Sequence, residues 1–262
     1  MNRWNTHWNA DMVTVGLFFL VLALVAYIHR WRVLRRLPPG PRGVPILGCL
    51  PFVGREPHKT LRQLSEQYGP VFSVYLGSKL CVFISDVKLV REAFKKDVFA
   101  NRPSIPFVDV LMEGYEPQLL HLLGDLFGAG LGTTQTTLCW FLLAMMKHPE
   151  IQIKVQEELD TVVGRERKPC LSDLPQLPYT EATLMETQRY ATILPTGISH
   201  AAAYDTELGG YLIPKNAVVS GLFWNFHHDP KVWKNPDTFD PTHFLTPEGK
   251  IFKPDNFMPF SV

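Results

Sequence analysis

Residues 177–190 read Leu177-Pro178-Tyr179-Thr180-Glu181-Ala182-Thr183-Leu184-Met185-Glu186-Thr187-Gln188-Arg189-Tyr190. This spacing predicts a helix over roughly Tyr179 to Ala191. Glu186 and Arg189 stand at i and i+3, which allows an intrahelical ion pair. On spacing alone the default is a solvated surface pair, worth under about 1 kcal/mol. The neighbours Leu184, Met185, Tyr190, Ile193 and Leu194 are apolar, however. A buried pair in such company needs further partners, because arginine has five donors to place.

Working outward, a helix starting at Pro149 carries Val155, Leu159 and Val162 on one face, and a long helical pattern runs from Glu116 to about Lys147. The long pattern contains Phe127-Gly128-Ala129-Gly130-Leu131-Gly132-Thr133-Thr134-Gln135-Thr136-Thr137, which is poor helix material. Each glycine costs about 1 kcal/mol relative to alanine, and a mid-helix threonine can bond back to the carbonyl four residues earlier. This stretch is either locally distorted or closely approached. A small-residue helix crossing or a second membrane segment would use the same residues. Further out, Pro57 to Tyr68 has helical spacing. Val71–Leu76 and Leu80–Ile84, separated by Gly77-Ser78-Lys79, read as a hairpin. Asp86 caps a short helix through Lys95. Short strands are expected near Ile198–Ala203 and Tyr211–Val219, and residues 228–262 have no clear period. The fold class is mainly α with small β-sheets.

The 262 residues are 46% hydrophobic, with a formal net charge of +1 and 22 prolines. That charge offers no basic stripe for nucleic acid. Cys49, Cys81, Cys139 and Cys170 are scattered without C-x-x-C spacing, so neither a zinc site nor a disulfide framework is expected, and no metal-ligating set is visible. Met12 to Ile28 is uncharged and apolar over about 17 residues, the lower limit for a spanning helix. Trp4 and Trp8 flank one end, Tyr27 and Trp31 the other, and Arg30, Arg32, Arg35 and Arg36 follow. This pattern predicts an N-terminal membrane anchor over residues 1–36, with the body, residues 37–262, in the cytosol. A cleaved signal would want a basic start and small residues before the cut. Leu37-Pro38-Pro39-Gly40-Pro41 forms a stiff stop after the anchor.

These pieces, in this order, resemble the cytochrome P450 family. Leu37 to Pro41 resembles the proline hinge of its microsomal members. Ala129-Gly130-Leu131-Gly132-Thr133-Thr134 resembles the oxygen-groove motif, and Leu177 to Ala182 leading to Glu186-x-x-Arg189 resembles the E-x-x-R helix with its lead-in. Pro236-Asp237-x-Phe239-x-Pro241-x-His243-Phe244 resembles the meander, and Met258-Pro259-Phe260-Ser261 the opening of the cysteine loop. The resemblance implies a partial P450 fold with an N-terminal transmembrane helix and haem as cofactor. It implies that Thr133 donates a proton toward iron-bound oxygen and that Gly130 and Ala129 line the groove. It implies a Glu186–Arg189–His243 ion-pair network, His200 on a haem propionate, Phe260 at the haem loop, and a substrate-contact strand over Leu194 to Ser199, with contacts from Leu194, Pro195, Thr196, Gly197 and Ile198. An NADPH-cytochrome reductase, a lipophilic substrate and the endoplasmic-reticulum membrane would be the partners. The run Leu194 to His200 resembles insect ecdysteroid hydroxylases, which implies a steroid substrate.

Three departures from the family pattern matter. The cysteine of the loop signature is absent, leaving the iron without its thiolate, so this chain is expected to be inactive as written. Only Ser104 to Pro117 separates Arg102-Pro103 from the long helix, where the family has several helices, and the join near Leu111-Met112 reads as an internal deletion. Gly132 replaces the acidic residue of the groove motif. The alternative is a non-catalytic, membrane-anchored form that binds a partner without chemistry.

Overall fold

The computed structural model describes residues 15–22, 24–25, 28, 32, 34–103 and 123–261. The expected anchor falls largely outside this set, as do Trp4, Trp8, Tyr27, Arg30, Trp31 and the join near Leu111-Met112. Residues 15–22 are helical and exposed. Among the described residues no helix is long and apolar enough to cross a membrane.

Strands β1 (Val71–Leu76) and β2 (Lys79–Ile84) form the expected hairpin, with Phe72 opposite Phe83. Lys79 belongs to the strand rather than the turn, leaving a two-residue loop in which Gly77 takes φ +62°. Primed hairpin turns need such a value because their twist matches that of the strands. Strands β3 (His200–Ala201), β4 (Thr206–Leu208), β5 (Tyr211–Ile213) and β6 (Val218–Gly221) follow. The main sheet has the order β1-β2-β6-β3, with β2 and β6 parallel and the other pairs antiparallel; β4 and β5 pair separately. The stretches expected as two strands are therefore shorter and broken: only His200–Ala201 pairs in the first, and the second splits into β5 and β6 around Asn216 at φ +64°.

β2 is buried on both faces, which explains its unbroken apolar run. Val82 and Ile84 point into one cluster with Val90, Phe99, Val219 and Phe226, whereas Cys81 and Phe83 point into another with Leu61, Phe72 and Leu222. The proline hinge lies along β1: the Ser73 backbone N–H donates to the Pro39 carbonyl at 2.8 Å and the Ser73 hydroxyl to the Pro38 carbonyl at 2.7 Å. A Cβ on Gly40 would stand 1.8 Å from the Ser73 carbonyl oxygen, so only glycine fits there.

Beyond residue 36, the α-helices among the described residues are α1 (Pro57–Tyr68), α2 (Val87–Phe94), α3 (Gly130–Lys147), α4 (Pro149–Val162), α5 (Pro178–Ala191) and α6 (Phe223–His227). Asp86 caps α2 as expected, accepting from the Leu89 N–H at 2.8 Å. Between α3, α4 and α5, Met145, Ile151, Val155 and Phe239 form a core; on the other side of α5, Met185 and Ala182 meet Trp233, Phe244 and Phe257. Both flanks of α5 are thus covered.

Glu158 of α4 holds the start of α5. One carboxylate oxygen accepts from the Tyr179 N–H at 2.9 Å, and the other from the Thr180 N–H at 2.7 Å and the Thr180 hydroxyl at 2.6 Å. First-turn N–H groups have no partner within their own helix, and a negative charge there is favoured. Glu158→Gln has one accepting oxygen instead of two. It should lower stability by about 1–2 kcal/mol, seen as a lower urea midpoint at unchanged slope; an unmoved midpoint would contradict this assignment.

Candidate functional site

Glu186 and Arg189 are both fully buried, with 0% side-chain exposure. The surface pair expected from spacing alone is therefore wrong, and tertiary packing is the reason: α5 is enclosed on both flanks. Burial of this kind is tolerable only if every donor is met. Arg189 Nε and Nη2 grip the two Glu186 oxygens at 2.7 and 2.8 Å. Nη1 donates to the carbonyls of His227 (2.7 Å) and Pro236 (2.9 Å), and Nη2 to that of Thr238 (3.2 Å). All five guanidinium N–H groups are thereby used. The guanidinium also lies 5.3 Å from the Trp233 ring centre. Glu186 Oε1 takes a further bond from the Asp240 N–H at 2.9 Å. Residues 228–240 have no regular period, and this pair ties their backbone at Pro236, Thr238 and Asp240.

His243 completes the cluster. Its Nδ1 lies 3.3 Å from each Glu186 oxygen and its Nε2 2.6 Å from the Lys234 carbonyl. Burial alone would lower its pKa, but the hydrogen bond and charge of Glu186, with the Lys234 carbonyl, outweigh burial and raise it. Acceptors face both ring nitrogens, which favours the doubly protonated ring.

The glycine-rich stretch Phe127–Thr137 is distorted only at its start, and from Gly130 onward it is regular α-helix. Gly124–Ala129 forms a π-helical turn that leads into α3. Thr133 donates its hydroxyl to the Ala129 carbonyl at 2.6 Å, and Thr137 to the Thr133 carbonyl at 2.9 Å. Open space lies beside Gly130, where an added Cβ would meet nothing within 4 Å. One turn beyond Thr133, Thr137 lines a small cleft of about 40 Å³ with Thr187, Thr192, Leu194, Phe223, His227, Pro259 and Phe260 among others. Thr133 and Thr137 share a helix face. Thr137 and His227 were not singled out from the sequence; Thr137 could have been found from its i+4 relation to Thr133.

No cysteine lines this cleft. Cys139 borders a different hollow with Gly132, Gln135, Thr136, Trp140 and Leu143. Cys49 and Cys81 are buried in the hairpin core, and Cys170 is exposed at the start of a 3-10 turn.

His200 stands at the edge of the main sheet, stacked on Phe94 at 4.1 Å. Its Nδ1 lies 2.7 Å from the Phe99 carbonyl, so Nδ1 carries the proton and Nε2 is left as an acceptor. Burial, with the positive charge of Arg102, lowers its pKa. Arg102 itself donates to the Ser199 carbonyl at 3.1 Å. Sequence reasoning passed over Arg102; a cation brought beside His200 by the Asn101–Ala201 bridge has no local sequence signal. The segment Leu194–Ser199 is not the strand its resemblance implied. It turns, with the Gly197 N–H on the Leu194 carbonyl at 3.1 Å and Gly197 at φ +62°. Both Leu194 and Ile198 are exposed, and of the two Leu194 lines the cleft.

The cytochrome P450 family model matches residues 38–120 and 115–262. Cytochrome P450 18a1 of Drosophila melanogaster is 26% identical over 434 aligned positions, covering 96% of this chain and 81% of that protein. Those positions outnumber the 262 residues here, so a large block of the fly protein has no counterpart in this chain. Human cytochrome P450 2C8 is 49% identical over 143 residues, covering 55% of this chain and 29% of the human protein. Rat cytochrome P450 2U1 is 46% identical over 147 residues, covering 56% and 28%. The chain thus spans less than a third of these two vertebrate relatives. The family uses haem. Since the match takes in the buried ion-pair helix, the distorted helix and the meander alike, the chain belongs to the cytochrome P450 family.

Proposed function

We propose that this chain is the framework of a haem-thiolate monooxygenase for a lipophilic substrate, a steroid by the resemblance of Leu194 to His200. We propose further that on these residues alone it does not turn over. The observation carrying this reading is the fully satisfied Arg189 cluster beside a cleft that no cysteine lines. Haem bound through a thiolate supplies activation of O2 and insertion of one oxygen atom. The residues present fit the rim of such a group better than its iron. Arg102 and His200 would hold carboxylates, His200 taking up a second proton at Nε2. Gly130 and Ala129 would leave room beside the plane, with Phe260 at the rim. Thr133 would hold a proton at Oγ1, now engaged by the Ala129 carbonyl. Leu194 and its neighbours Pro195, Thr196, Gly197 and Ile198 would meet the substrate. Electrons would come from an NADPH-cytochrome reductase. An anchor in the endoplasmic-reticulum membrane is supported by the exposed apolar side chains of residues 15–22, which point to all sides of their helix. A block of helices missing near residues 104–117 is supported by the two-part family match.

The non-catalytic reading is favoured by one observation, the bare apolar side of α3, where Leu131 is 64% and Met146 79% exposed. Mixing the purified chain with haem, reducing it and adding carbon monoxide separates the readings. The expected result is haem uptake weakened by Arg102→Ala, with no thiolate-type Soret band. A thiolate band would refute the proposed inactivity, and no uptake at all would refute the framework reading.

A further inference from the structure

His227 ends α6 and is 1% exposed, yet both ring nitrogens are bonded. Nε2 lies 3.1 Å from the Met258 backbone nitrogen. A backbone N–H can only donate, so Nε2 bears no proton. In the neutral ring Nδ1 therefore carries it and donates to Thr192 Oγ1 at 2.9 Å. The Thr192 hydroxyl passes the chain on to the Arg189 carbonyl at 2.6 Å. The carbonyl of His227 accepts from Arg189 at 2.7 Å. Three segments distant in sequence meet on one residue: the end of α5, the end of α6 and the segment Met258-Pro259-Phe260.

Thr192 adds a second, independent sign. It follows α5 with φ +36° and ψ 61°, a left-handed conformation that β-branched side chains avoid. Strain of this kind persists only where the surroundings over-determine it. Here the hydroxyl is bonded on both sides and the residue is buried. Glycine would relieve the backbone but would remove the hydroxyl that connects His227 to α5.

We propose that His227, locked as the Nδ1–H tautomer, is a positioning residue that holds Met258–Phe260 against the end of α5, so that Pro259 and Phe260 border the cleft. The pin joins only this chain's own segments. Its consequence for a haem loop after Phe260 rests on the reading above, whereas the pin does not.

The experiment uses the full chain labelled with 15N. Imidazole spectra should show a bonded proton on His227 Nδ1 and none on Nε2. Hydrogen exchange at the Met258 amide should be slow, and about tenfold faster in His227→Phe, the size of one lost hydrogen bond. The Asp240 amide, held by Glu186, should stay protected as a control. His227→Gln places an accepting oxygen near the position of Nε2 and should restore protection at Met258. His227→Asn reaches only the Thr192 side and should not. A proton found on Nε2, unchanged exchange in His227→Phe, or loss of protection in His227→Gln equal to that in His227→Phe would each overturn the proposal. Should the Phe variant fail to fold, the tautomer in the unaltered chain decides alone.

Discussion

Arg189→Ala should lower the unfolding free energy by about 3–5 kcal/mol, because it leaves the Glu186 carboxylate buried with its charge unmatched. Domains of this kind have a total stability of about 5–15 kcal/mol, so this one change would remove a large share of it. The loss arises at several places at once. Glu186 keeps only the Asp240 N–H and His243, and the carbonyls of His227, Pro236 and Thr238 lose their donor. Arg189→Lys should be only a partial rescue, since three donors on a flexible stem cannot reproduce a planar fork. The paired change Glu186→Leu with Arg189→Met should be less damaging than Arg189→Ala alone, because it removes both charges and keeps the volume. Urea unfolding followed by tryptophan fluorescence would read this, since Trp233 lies against the guanidinium. A loss under about 1 kcal/mol for Arg189→Ala would show that water reaches the pair.

Acid should weaken the fold well before its carboxylates are protonated. Burial first, then the charges of His228 and Arg189, pushes His227 down to about 3. Burial and Arg189 push His228 down to about 4, with Arg62 adding to this while Asp237 and the Trp224 carbonyl oppose it. Both folded values lie below the unfolded value near 6.5, so between these limits the unfolded chain binds more protons than the folded one. Stability is then complete above about pH 6.5 and falls as the pH drops through the window toward 4 and 3. Two groups give a slope of roughly 2–3 kcal/mol per pH unit near pH 5.5. His243 has the opposite sign: its raised value adds stability below about 6.5 that is lost at higher pH, which flattens the curve near neutrality. Thermal unfolding from pH 8 to 5 should show a plateau and then a steep decline. His228→Gln should roughly halve the slope; a slope unchanged in that variant would remove His228 from the account.

Local signals were legible where local forces dominate. The helix at Pro57–Tyr68 and the Asp86 cap sit where spacing and capping placed them, because side-chain periodicity and the orphan N–H groups of a first turn act within a few residues. The distortion was visible only in part: the expected stretch Phe127–Thr137 overlaps the π-helical turn at Phe127–Ala129, whereas Gly130 to Thr137, despite glycine and back-bonding threonine, keep a regular helix. What failed had a non-local cause. Leu194–Ser199 was expected as a strand, but Gly197 turns there with Phe223 packed against it; a Cβ on Gly197 would meet that ring at 2.4 Å.

From the sequence alone came the family, the helix that bears Glu186 and Arg189, and the demand that a buried guanidinium be given five acceptors. Where those acceptors come from was decided only by tertiary structure. Carbonyls at 227, 236 and 238 carry no side-chain signature, and the i, i+3 spacing is the same on a wet surface as in a core. The tautomer of His227 and the partnership of Arg102 with His200 belong to the same class. Each depends on which distant backbone atom arrives within 3 Å, and periodicity and composition do not encode that distance.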